Sequence, residues 1–323
     1  MALRPIDNAL PTTTPERPKK QVKISVPIQK QTDFAVNDEN KAPVAAPSAD
    51  ATVDYVSSEN LEAIPDPESK FQSLIEGLDS KDWTKVCESL NNARRFALYH
   101  SSLLVPILEK VVVVVVKSMK NPRSALCKTA IMASSDIFKA FGDKLLDLTN
   151  SDAFVNLLLQ LLLKASQDKK FVCEEADRTL KVMVDSITPL PLLHKLKAYV
   201  SHTNMRIRAK AAISISNCVS KMGLDGMKEF GMVSLVQMAA ELLNDRLPEA
   251  REAARSVVIS IYNAFTEDED QKQEAWQSFC QYNLPPIDAQ SIIKIITSRL
   301  TLGWSYEGSS IQKVFLAFND RQV

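Results

Sequence analysis

Five short stretches of this chain repeat one pattern. An apolar residue is followed at once by its neighbour and, four positions on, by a small or apolar residue. The copies are Val86-Cys87 with Leu90, Leu126-Cys127 with Ala130, Val172-Cys173 with Ala176, Ile207-Arg208 with Ala211, and Ala250-Arg251 with Ala254. Their first residues stand 40, 46, 35 and 43 positions apart. Each copy follows a short polar loop: Ser80–Trp83, Lys120–Arg123, Gln167–Lys170, His202–Arg206 and Asp245–Pro248. A unit that recurs at this period buries its apolar face only against its neighbours in a stack. Loops at the same point of each unit then come to one edge. Functional residues are expected there.

A period near 40 with two helices per unit predicts an all-α, HEAT-type solenoid of helical hairpins. Only 7 glycines occur, and 9 of the 16 prolines precede residue 68, so the rest of the chain is poor in helix breakers. The first unit carries Phe71, Leu74, Ile75 and Leu78 at helical spacing, then Val86, Leu90, Ala93 and Ala97. The second pairs Leu103–Met119 with Ser124–Phe141. Its six consecutive valines favour a strand by propensity. The flanking pattern Leu104, Ile107, Leu108, Val111 and Val115 keeps one helical face apolar, so a helix is expected. The third pairs Asp152–Ser166 with Phe171–Ile187, the fourth Leu190–Val200 with Arg206–Met222, and the fifth Gly231–Leu243 with Pro248–Phe265. A sixth pair, Asp268–Gln281 and Asp288–Arg299, lacks the loop pattern and is expected to cap the core.

The domain plan has three parts. Residues 1–66 are expected to be a disordered, proline-rich tail, basic over the first 32 residues and acidic beyond. Order is expected from Pro67, over 67–300. Residues 301–323 are a tail or a short docked helix carried by Ile311, Val314, Phe315 and Phe318.

Composition narrows the function. The 39 basic and 39 acidic residues balance, which argues against a nucleic-acid binder that relies on bulk charge. Met1–Thr14 lacks the apolar core of a signal peptide, and the longest apolar run is too short to span a bilayer. A soluble, cytoplasmic protein with no membrane partner is expected. The five cysteines form no CxxC pair, so free buried thiols are expected and no metal. The three histidines share no motif with a nucleophile, and no phosphate-binding or metal-binding signature occurs. Neither an enzyme nor a cofactor is expected.

The loop residues remain. Trp83 is either packed into the end of the first unit or an exposed interface anchor. Arg123, Lys169, Lys170, Arg206 and Arg246 occupy equivalent loops of units two to five. Singly, each is a solvated charge; together, they form a row that suits an extended acidic partner. Arg208 and Arg251 lie one helical position deeper and are expected to bridge neighbouring units.

The loop series, with Asp82-Trp83 first, then Asn121-Pro122-Arg123-Ser124, Asp168-Lys169-Lys170-Phe171-Val172, Asn204-Met205-Arg206-Ile207-Arg208 and Asp245-Arg246-Leu247-Pro248-Glu249-Ala250-Arg251, resembles a TOG domain. This is the tubulin-binding HEAT array of the CLASP and crescerin families. The resemblance runs from about Phe71 to Phe265. It implies that one loop edge binds a curved αβ-tubulin dimer or the microtubule, with Trp83 towards β-tubulin and Arg123, Lys169, Lys170, Arg206 and Arg246 towards α-tubulin. It implies a microtubule location as well. Microtubule polymerases of the wider class use several such domains in tandem and this sequence holds one, so polymerase activity is expected only if the protein oligomerises. The rival expectation is a HEAT-repeat adaptor or scaffold without tubulin affinity, which would pack Trp83 inward.

Overall fold

Six antiparallel helical hairpins follow one another in a computed structural model that describes residues 55–148, 151–265 and 271–301. The first pairs α1 (Pro67–Leu78) with α2 (Trp83–Tyr99). A short helix α3 (Ser101–Leu104) and a 3-10 turn lead to α4 (Leu108–Met119), which pairs with α5 (Ser124–Phe141). The third pairs α6 (Ser151–Ala165) with α7 (Lys170–Ser186), and the fourth α8 (Pro189–Lys197) with α9 (Met205–Phe230). The fifth pairs α10 (Met232–Leu243) with α11 (Pro248–Phe265), and the sixth α12 (Lys272–Asn283) with α13 (Pro286–Thr301). No strand occurs among the described residues.

The second helices form one layer, with α5 between α2 and α7 and α11 against α9. The first helices form the other, and α4 packs on α6. The repeated positions of the sequence pattern make the seam: Leu90, Ala130, Ala176, Ala211 and Ala254 have no solvent exposure. Small residues there let the second helices approach closely, and larger ones would force them apart. The valine run is helical, with Val111, Val112 and Val115 fully buried. Tertiary burial overrides β propensity there. α6 is surrounded by α4, α7 and α9, which accounts for its apolar character all round.

The structure departs from the sequence expectation at three places. The first helix of unit two starts at Leu108 rather than Leu103, because Pro106 lacks the N–H that a continuous helix needs and a 3-10 turn spans Val105–Ile107. α9 breaks at Gly223, whose φ of 68° and ψ of 178° suit only glycine, next to the expected end at Met222, but it then resumes as a helix as far as Phe230. Order also begins before Pro67. Residues 55–66 lie as a strap along α2 and α5. Leu61 is fully buried, and its carbonyl accepts from Tyr99 Oη at 2.6 Å. Arg94 donates to the Val56 carbonyl at 2.8 Å and to Asp136 at 2.7 Å, and Ser58 Oγ donates to Asp136 at 2.6 Å. Arg94 and Asp136 are 1% and 0% exposed. These contacts are tertiary and leave no periodic trace in the sequence. The tail over 1–54, the segment 302–323 and the start of the sixth pair at Asp268 lie outside the described residues.

The sixth hairpin closes the stack with an aromatic cluster. Buried Trp276 stands edge-on to Tyr262 and Phe265 and stacks on Phe279. The described residues all fall within one compact unit.

Candidate functional site

Each intra-hairpin loop turns into its second helix by a local device. In four of the first five, an Asp or Asn side chain accepts from the backbone N–H two residues on. Asp82 takes Thr84 N at 2.9 Å, Asn121 takes Arg123 N at 2.9 Å, Asn204 takes Arg206 N at 2.9 Å, and Asp245 takes Leu247 N at 2.8 Å. The turn fixes the backbone and offers a hydrogen-bond partner to one N–H that the first helical turn leaves free. Trp83, Arg123, Arg206 and Arg246 sit at or beside such a turn, so their Cα atoms are positioned although their side chains are long, whereas Lys169 and Lys170 stand on loop three, which shows no such bond among the described residues. Hydrogen bonds from the Thr84 side chain and backbone hold the Asp82 carboxyl below its ordinary value.

Contacts between loops place them side by side. The Arg123 guanidinium lies 5.5 Å from the Trp83 ring centre, joining loops one and two. Lys169 Nζ donates to Ser124 Oγ at 3.1 Å, joining two and three. Arg206 donates to Asp168 at 2.6 Å and to the Ser166 carbonyl at 3.3 Å, joining three and four. Arg208 donates to Asp245 at 2.6 Å, joining four and five. Asn244 donates to Asp288 at 3.2 Å, joining five to the sixth hairpin. The six loops therefore form one continuous edge.

The sequence-derived residues all lie on that edge, in different states. Trp83, the first residue of α2, is half-buried against the core. The exposed Arg123 covers part of its ring. Lys169 and Lys170 are exposed, the latter 3.8 Å from Glu174. Arg206 is exposed but ion-paired. Arg246 is exposed and makes no ion pair among the described residues. Arg208 bridges units as expected. Arg251 does not: it donates to the carbonyls of Asp245 and Arg246 in its own loop, at 2.9 and 2.8 Å. Arg208 also donates to the carbonyls of His202 and Thr203, at 2.7 and 3.3 Å, so both arginines satisfy loop carbonyls from the register position that Cys87, Cys127 and Cys173 hold elsewhere. Cys127 is buried, but Cys173 is only half-buried and its thiol donates to the Ala165 carbonyl at 3.0 Å.

Sequence reasoning missed two apolar members. Phe171 and Met205 are 43% and 37% exposed, in the first turns of α7 and α9, where α2 carries Trp83. Their place within the first two residues of their helices, as for Trp83, was the available signal. Lys128 approaches both the Phe171 ring, at 6.0 Å, and the strap residue Tyr55, at 4.5 Å. The edge is chemically a row of cations and aromatic or thioether groups, suited to binding. The histidines each pack on an aromatic ring: His100 on Phe96, His194 on Phe230 and His202 on Tyr199. No group of three His, Cys, Asp or Glu that could hold a metal occurs among the described residues. No described helix is long and apolar enough to cross a membrane.

Residues 96–277, more than half of the chain, match the model of the CLASP N-terminal family. The chain belongs to that family. It is 28% identical over 210 residues to TOG array regulator of axonemal microtubules protein 1 of Mus musculus, covering 64% of this chain and 12% of that protein. With the Homo sapiens protein of the same name it shares 32% over 146 residues, covering 44% and 8%. The chain thus spans about a tenth of the length of the curated relatives it matches. Among solved structures, a TOG domain from C. elegans Zyg9 superposes with a TM-score of 0.53 at 18% identity, over 76% of this chain and 91% of that one. A structure described as crescerin using a TOG domain array to regulate microtubules in the primary cilium gives 0.51 at 13%, over 71% and 91%. The fold of this family member is a TOG-type HEAT-repeat domain.

Proposed function

We propose that this CLASP-family domain binds tubulin, as the free dimer or in the microtubule, through its loop edge. The observation that carries the proposal is the unbroken series of loop-to-loop contacts from Trp83 to Asp288, which aligns Trp83, Arg123, Lys169, Lys170, Arg206 and Arg246 along one side of the stack. Such a row offers an acidic protein surface several simultaneous contacts at fixed spacing. The names of the relatives, which concern axonemal microtubules, support the same partner and a cytoskeletal location. The work done on tubulin is binding, with no covalent chemistry.

Co-sedimentation with microtubules, run beside gel filtration with free tubulin, tests the proposal. The wild type should join one of them, and Arg123→Glu with Arg246→Glu should release it. A chain that joins neither is a scaffold of the same fold.

A further inference from the structure

The sixth loop carries the most exposed large apolar side chains among the described residues. Tyr282, in the last turn of α12, is 89% exposed, and Ile287, in the first turn of α13, is 79% exposed. Pro285 and Pro286 between them are exposed too, while buried Leu284 pins the turn to the core. Single exposed apolar residues are ordinary on a protein surface, but four within six positions make a patch.

That patch continues the loop edge. Asn244 of loop five donates to Asp288, and Gln237 donates to the Asn283 carbonyl at 3.5 Å. Ile287 also holds, in its own hairpin, the register position of Phe171 in the third, the second residue of the second helix. The apolar members of the edge therefore run Trp83, Phe171, Met205, Ile287, beside the cations, and end at loop six.

Three occupants could cover the patch. Residues 302–323 follow α13 at its opposite end. The 14 steps from Ile287 to Thr301 put that point about 21 Å away, so the segment would have to run back along the helix. A second copy would need about 800 Å² per partner for a standard stable interface, more than four side chains provide. A partner lying along loops one to five reaches loop six by one more helix spacing, about 10 Å. We propose that loop six is an apolar end anchor for the partner of the loop edge, inserting Tyr282 and Ile287 into a hydrophobic depression on tubulin next to its acidic surface. The proposal rests on the tubulin reading and adds a second kind of contact to it. The cations attract at long range and are screened by salt, whereas the anchor holds independently of salt.

The test uses the full chain with Tyr282→Ser and Ile287→Ser together, and purified tubulin as the probe. Affinity is read at about 50 mM and about 0.3 M salt, between which the screening length falls from about 14 Å to about 6 Å. The double variant should weaken binding about tenfold or more at both salts, as loss of an interface anchor does. Arg123→Glu should weaken it mainly at low salt. Full binding by the double variant while Arg123→Glu is impaired overturns the anchor and leaves the tubulin reading standing. Absence of tubulin binding by the wild type overturns both. A lower sedimentation mass for the double variant alone would assign the patch to a second copy. A lowered melting temperature would assign it to residues 302–323. Either result overturns the proposal.

Discussion

Arg123, on the second loop, holds its guanidinium 5.5 Å from the ring centre of Trp83 on the first. Trp83 is therefore neither wholly packed nor wholly exposed. One part of its ring packs into the end of the first hairpin, and the other supports a cation presented to solvent. A contact of this kind contributes about 0.5–1 kcal/mol at an exposed site. Trp83→Ala, Arg123→Gln and the double variant should show a coupling of that size in chemical denaturation. Strict additivity would mean that the pair is a geometric accident. In tubulin binding, Trp83→Ala should weaken affinity by about 2 kcal/mol if the indole is an anchor. Its melt is the necessary control, because the half-buried ring also belongs to the core.

The buried pair Arg94–Asp136 predicts a larger effect. Arg94→Met leaves a carboxylate with no solvent exposure and no cation, and should destabilise the fold by about 3–5 kcal/mol. Adding Asp136→Leu should restore most of that loss, since removing both charges also removes the desolvation penalty. If the double variant is as unstable as the single one, packing rather than charge decides this site. Ser58→Ala should cost about 1 kcal/mol through its lost hydrogen bond to Asp136.

The contrast between the strap and the hairpins explains what the sequence made legible. Leu90, Ala130, Ala176, Ala211 and Ala254 recur because every second helix meets its neighbours in the same way, and recurrence survives in a linear string. Arg94 has no counterpart in the other units. Nothing in the sequence separates it from the adjacent Arg95, yet it alone gathers Val56, Ser58 and Asp136. The strap over residues 55–66 was hidden for this reason. Loop six was hidden for another: it has no cation, so only the position of Ile287 in its helix marked it. Arg251 is in register and expected to bridge units; it binds the carbonyls of its own loop instead, since these and the next unit both lie within reach of a guanidinium.

Thiol chemistry should follow burial. Desolvation pushes the thiols of Cys218 and Cys280 up to about 12, which leaves almost no thiolate at neutral pH. Cys173 is the one half-buried thiol, and burial followed by the nearby Asp177 charge raises it less far. Under native conditions an alkylating reagent should label Cys173 first, with Cys218 and Cys280 protected until unfolding. Mass spectrometry of time points gives the order, and early labelling of Cys218 would contradict the packing of α9.

Asp245 gives the fourth loop-to-fifth loop contact a pH signature. Desolvation acts to raise its carboxyl, but hydrogen bonds from Leu247 N and Arg208 outweigh it and hold the group below its ordinary value of 3.8. A carboxyl lowered on folding stabilises the native state above the unfolded value and loses that contribution as pH falls through the folded one. Asp245→Asn should therefore cost about 1.5–3 kcal/mol at neutral pH, the range for hydrogen bonds to charged groups. Denaturation midpoints of the two proteins should converge below pH 3.8. A gap that stays constant into acid would show that the charge of Asp245 is immaterial.

The cations of the edge should differ in how much they contribute to binding. Arg206 lies 2.6 Å from Asp168, so its charge is largely offset before any partner arrives. Arg246 has no ion pair among the described residues and would meet an acidic partner with its full charge. Arg246→Gln should consequently weaken tubulin binding more than Arg206→Gln does, and the gap should narrow above about 0.1 M salt, where charges about 10 Å apart are screened. Asp168→Asn offers the converse. It removes an exposed ion pair worth about 0–1 kcal/mol to the fold and releases Arg206 to the partner. Affinity at low salt should then rise a few-fold with the melting temperature little changed, whereas a loss of affinity would mean that Asp168 serves to hold Arg206 in its binding position.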